Sequence, residues 1–89
     1  MVTILMEHKV ADFAKWRSVY DADSERRASA GIKEIALHTK ADDPNHVYMV
    51  WSAENSDMLE PMLADENLKQ AMQEAGVISK PSFMVFNNH

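Results

Sequence analysis

The run His46-Val47-Tyr48-Met49-Val50-Trp51 constrains this chain more than any other stretch. A strand with one wet face alternates apolar with polar residues, yet Val47 to Trp51 leaves no polar face at all. So short a run cannot make a helix of its own, and Asp42-Asp43-Pro44-Asn45 just before it is turn chemistry. The run reads as a strand that needs cover on both sides, and the rest of the sequence has to supply that cover.

The supply is small. The chain has 89 residues, enough for a single domain spanning 1–89 with one modest core. It contains no cysteine, which excludes a disulfide framework, a zinc–thiolate site and a thiol nucleophile. The net charge of −5 and a pI near 5.2 oppose a nucleic-acid surface, which needs clustered Lys and Arg. Here Arg26-Arg27 is the one basic doublet, and the acids Asp21, Asp23 and Glu25 precede it. The first residues, MVTILMEHKV, run from apolar to charged, the reverse of a secretory signal, and no stretch approaches the ~20 apolar residues of a membrane span. The expectation is a soluble cytoplasmic protein with neither a membrane nor a nucleic-acid partner.

Strands and helices alternate along the chain. Residues 2–8 (VTILMEH) form a short β-branched strand. Asp12 is an N-cap for a helix whose Phe13, Trp16 and Tyr20 recur as one apolar stripe. That helix continues through the polar DADSERRASA and ends at Gly31. Ile32 to Thr39 is a second strand, and Asp42–Asn45 turns it into the third as a hairpin. Asn55 or Ser56 opens a second helical region. Pro61 is expected to interrupt it, Asp65 to cap a further piece, and Gly76 to end it. Ser82 to Asn87 is the last strand. The order β-α-β-β-α-β is that of an α+β, ferredoxin-like fold: a four-stranded antiparallel sheet with its helices on one face. No residues remain for the other face, although the third and last strands are apolar on both parities. An uncovered sheet of that kind is a large apolar patch, and a second copy is its simplest cover. The chain is therefore expected to be a homodimer.

At this level of detail the sequence resembles a known family. VADFAKW opening the first helix, DDPN in the hairpin, VW closing the third strand and LKQAMQEAGV before the last strand are similar to the dimeric α+β barrel superfamily. The similarity is greatest to its small antibiotic-biosynthesis-monooxygenase-like members and spans nearly the whole chain. It implies two ferredoxin-like sheets forming a barrel, with a pocket between sheet and helices or in the lumen. Among the activities it implies are cofactor-free, quinone-forming oxygenation and haem degradation. Trp51 matches a tryptophan often found at the end of the third strand, and Asn55 matches a nearby polar position. One departure matters: catalysing members commonly carry histidine in the second helical region, and Asn55 to Gly76 contains none. Met58, Met62 and Leu68 fill the apolar positions there, so a haem-degrading role lacks its usual iron ligand.

With a hairpin loop of Asp42–Asn45, His38 stands opposite Met49, and one face carries Ile32, Glu34, Ala36 and His38 with Val47, Met49 and Trp51. The other face, with Ile35, Leu37, Tyr48 and Val50, is the more apolar and is expected under the helices. A one-residue change in the loop reverses the assignment. On the first strand His8 alternates with Ile4 and Met6 and can join the His38 face. His38 and His8 are then the candidate bases, and Trp51, Glu34, Met49 and Trp16 the candidate contacts to an aromatic small molecule. The competing reading makes both histidines strand-end residues bonded to backbone or water, with Trp51, Trp16 and Tyr20 plain core. Two histidines and Glu34 also match a facial metal triad, but no His-x-x-x-His spacing supports one, and no metal or cofactor is expected. His46 and His89 are expected to be solvated, DADSERR to be a wet face with Asp/Arg pairs, and Met58, Met62 and Met72 to form an adaptable wall. Two functions follow. One is an enzyme or binder of monooxygenase-like type for a planar aromatic or quinone-like compound. The other is a non-catalytic dimeric module that senses a ligand or stabilises a partner.

Overall fold

The computed structural model describes all residues from Met1 to His89. In chain order they form β1 (Val2–Lys9), α1 (Phe13–Ala22), α2 (Ser24–Ser29), β2 (Lys33–Lys40), β3 (Asp43–Ala53), α3 (Leu59–Ala64), α4 (Glu66–Glu74) and β4 (Ser82–Asn87). The sheet order is β2-β3-β1-β4 with every neighbouring pair antiparallel. This is the ferredoxin-like α+β arrangement expected from the sequence. No helix is long and apolar enough to cross a membrane.

Local chemistry explains the helix boundaries. Asp12 caps α1 by accepting the Ala14 amide at 3.2 Å, and Asn45 from the hairpin accepts the Phe13 amide at 3.1 Å. The expected single long helix is instead two, because the chain departs from helical geometry at Asp23 (φ −94°, ψ 16°). The second piece ends at Gly31, whose φ of +78° lets the Ile32 amide bond back to the Arg27 carbonyl at 2.9 Å. Gly76 (φ +82°) closes α4 the same way, through the Val77 amide and the Met72 carbonyl at 3.0 Å.

The second helical region is also broken, but at Asp65 rather than at Pro61. Pro61 sits in the first turn of α3, where its missing N–H would have had no intrahelical partner anyway. The break comes where Asp65 turns extended (φ −68°, ψ 121°) and its side chain accepts the Asn67 amide at 2.8 Å.

The expected hairpin is corrected in a way that changes the site. It turns on Ala41 and Asp42, with Lys40 opposite Asp43; the register then shifts between Lys40 and Thr39, which lies opposite Val47, and shifts again between Ala36 and Glu34. Side chains alternate with period two, so shifts of one residue exchange the faces. Val47, Met49 and Trp51 therefore face the helices, buried with Ile4, Met6 and His8 of β1. Tyr48 and Val50 face the other way, paired with His38 and Ala36. Both parities of β3 are large and apolar, so hydrophobicity alone does not choose between them. The core is one cluster in which Trp16 and Tyr20 of α1, Leu59 of α3 and Ala75 close over that inner face. The outer face has no cover within the chain, and Met84 and Phe86 of β4 stand 53% and 47% exposed.

Candidate functional site

Between the inner sheet face and the helices lies a cavity of about 70 Å³. Its floor is Met6, His8, Met49 and Trp51 from the central strands β1 and β3. One wall is the Trp16–Tyr20 face of α1, and the opposite wall is Met62, Leu68 and Met72 of α3 and α4. Asp23, Arg26 and Arg27 also line it, from the kink between α1 and α2. The methionine wall matches the expectation for Met62 and Met72, whereas Met58 packs on the core outside the cavity lining.

The polar groups of this cavity are almost all occupied. The Trp51 indole N–H donates to the Tyr20 hydroxyl at 3.0 Å. Burial pushes the Tyr20 hydroxyl up to about 12, with Trp51 and Arg27 pulling the other way and the nearby Glu34 carboxylate adding to the rise. Arg26 holds Asp23 through two bonds of 3.0 and 3.1 Å and reaches Asp65 at 3.5 Å. Arg27 lies over the Tyr20 ring, 3.6 Å from its centroid, and donates to the Tyr20 carbonyl oxygen at 2.8 Å. Trp16 and Tyr20 stack at 4.7 Å with 20° between their planes.

His8 is the exception. It is only 6% exposed, and neither ring nitrogen has a hydrogen-bond partner. Its one specific neighbour is Trp16, met edge-to-face at 5.6 Å. Burial, with a smaller push from His46, lowers its pKa to about 4, so the ring is neutral at pH 7 with one donor and one acceptor unused. An unpaired buried polar group costs on the order of 1–3 kcal/mol, and here two lie in one ring.

Of the residues singled out from the sequence, four line the cavity: His8, Trp16, Met49 and Trp51. Glu34 pairs with Trp51 in the sheet and lies near the Tyr20 hydroxyl, outside the lining. His38 is exposed on the opposite face, because the bulge at Ile35 breaks the alternation that would have put it beside Glu34. The same separation takes apart the His8–Glu34–His38 triad, and no three His, Asp or Glu side chains converge anywhere in the fold. His46 is not a solvated turn residue. It lies in β3, stacked on Tyr48 at 4.7 Å, with Nε2 3.3 Å from the Glu7 carboxylate. Arg27 was missed. Its place depends on the kink at Asp23, which brings it back over a ring seven residues earlier; only the Asp/Arg pairing of that stretch was readable.

No family model matches the sequence, and no curated protein matches it significantly. Solved structures do. A crystal structure of an antibiotic biosynthesis monooxygenase superposes with a TM-score of 0.67 over 100% of this chain and 99% of its own, at 14% identity. The chain shares that protein's fold. A Bordetella bronchiseptica protein whose designation as such a monooxygenase is provisional matches at a TM-score of 0.78 and 12% identity, covering 99% of this chain and 96% of its own. A protein from Agrobacterium tumefaciens matches at 0.72 and 10% identity, covering 100% and 94%.

Proposed function

We propose that the cavity binds a small planar hydroxyaromatic or quinone-like compound, with His8 as the base and Trp16, Met49 and Trp51 as its apolar seat. The observation that carries this is the buried, neutral His8, whose two ring nitrogens are the only buried side-chain polar atoms in the fold without a partner, at the floor of a largely apolar cavity. A ligand hydroxyl supplies what the ring lacks: it donates to the bare nitrogen and satisfies it. If the protein is an enzyme, His8 takes that proton and leaves an electron-rich aryl oxide. Dioxygen then inserts one atom at a ring C–H, giving a quinone, and leaves with the other atom as water. The balance needs no further reductant. An imidazole with a pKa near 4 is a weak base by itself, but the aryl oxide formed beside it is the counter-anion whose absence disfavours the imidazolium. His38 remains a residue of the open sheet face in this reading, outside the reaction.

That weak basicity is also the observation favouring the second class, a module that binds the same ligand only to sense it. The reading further includes a homodimer, with a second copy on the outer sheet face. Thermal shift and oxygen uptake with a panel of phenols and hydroquinones test it. Binding lost in His8→Ala, with the fold intact by circular dichroism, supports the site. Oxygen uptake that follows His8 separates enzyme from sensor. Equal binding by wild type and His8→Ala would sink the site.

A further inference from the structure

Arg27 gives the ligand a second handle. The chain has three arginines, and the other two are matched: Arg17 with Asp21 at 3.2 Å, and Arg26 with both Asp23 and Asp65. Arg27 forms no ion pair. Its guanidinium uses one N–H on the Tyr20 carbonyl oxygen and lies over the Tyr20 ring, which leaves the rest of its donor fork unassigned while it lines the cavity. Glu34, although near the Tyr20 hydroxyl, is not within ion-pair distance of it. A half-buried cation without an anion is an incomplete arrangement, and guanidinium geometry fits a carboxylate in two-point fashion.

The cavity size limits what lies between the two handles. About 70 Å³ is roughly half of the ~150 Å³ of a cavity that takes up one benzene ring, so a single ring already fills it and reaches into its open mouth. His8 meets Trp16, Arg27 meets Tyr20, and the Trp16–Tyr20 stack joins them, so the bare imidazole and the free part of the guanidinium fork stand at opposite ends of one aromatic wall. Resting on the proposed binding role of the cavity, we infer that its ligand class is a single-ring hydroxyaromatic carboxylate. The hydroxyl meets His8, the ring lies along Trp16 and Tyr20, and the carboxylate accepts from Arg27. A fused-ring compound would have to push α3 and α4 outward.

Isothermal titration calorimetry on the full chain tests this with 4-hydroxybenzoate, its methyl ester and 6-hydroxy-2-naphthoate. The acid is expected to bind roughly tenfold or more tighter than the ester, the usual scale for a charge-assisted contact. Arg27→Gln should bring the acid down to the ester's affinity, and Arg27→Lys should restore part of the difference. The ester comparison stands even if Arg27→Gln does not fold, because it alters only the ligand. Equal affinity of acid and ester overturns the carboxylate assignment, and equal or tighter binding of the naphthoate overturns the single ring. In both cases the cavity reading survives if binding is still lost in His8→Ala. Failure of all three compounds and of the neutral phenol panel on folded protein overturns both.

Discussion

A neutral imidazole without partners stays buried only because the surrounding fold is worth more than the water it gives up. His8 is in that position, and its lowered pKa makes stability depend on acidity in a definite direction. Between the ordinary value of 6.5 and about 4, the unfolded chain takes a proton on His8 that the folded chain refuses. The contribution is intact above that window and is lost as the pH falls through it, at up to about 1.4 kcal/mol per pH unit. Urea unfolding at pH 7 and pH 5 should show the loss in the wild type and a shallower one in His8→Leu. The same slope in both proteins would mean that His8 is not held neutral by burial. At this scale the sequence was half readable. Alternation with Ile4 and Met6 put His8 on a defined face, and Trp51 and Met49 came with their strand. His38 was placed beside them by the same alternation and is not there, since periodicity does not announce the extra residue at Ile35. Arg27 was hidden for a different reason: its partner is a backbone carbonyl and an aromatic face, which leave no spacing signal.

Elements are where the sequence was most readable, because caps and helix-ending glycines act locally. Asp12, Asp65, Gly31 and Gly76 all stand where their chemistry suggested. The faces of the sheet were not, because a two-residue turn and two register shifts together decide them, and both parities of β3 are apolar. Asp65 carries the break between α3 and α4, and its replacement tests how. Asp65→Ala should cost about 1 kcal/mol through the lost cap on the Asn67 amide. The half-exposed contact to Arg26 adds little, so Asp65→Asn, which can still accept that amide, should recover most of the loss. Thermal denaturation of the pair decides it; equal losses would make the ion pair, not the cap, the working interaction. The α3 turn behind that break has six residues, no side-chain N-cap and Leu59 as its buried anchor. Its amides should exchange with deuterium faster than those of α1, which has two side-chain acceptors at its start. Equal protection would remove α3 as the movable wall of the cavity.

For the whole molecule, the unresolved quantity in the sequence was what covers a strand apolar on both sides. The helices cover the side bearing Met49. The other side carries Leu5, Tyr48 and Val50, half-buried, and the exposed Met84 and Phe86, a surface that a chain this small cannot close by itself. The proposed second copy makes two substitutions at adjacent positions behave differently. Met49 is 2% exposed on the inner face, so Met49→Lys puts an unpaired charge into the only core and should leave no folded protein. Val50 points outward, so Val50→Lys leaves that core alone and puts its charge into the interface. A loss of about 3 kcal/mol there weakens association roughly hundredfold. Sedimentation equilibrium at micromolar concentration should give twice the chain mass for the wild type and a folded or partly folded monomer for Val50→Lys. A wild type that stays folded at the mass of one chain would remove the dimer. A Val50→Lys protein that dimerises unchanged would move the interface off this face. If Val50→Lys yields a monomer that still binds ligand through His8, the cavity is complete within one chain. If binding is lost with the dimer while the fold remains, the second copy is what holds α3, α4 and the cavity wall in place.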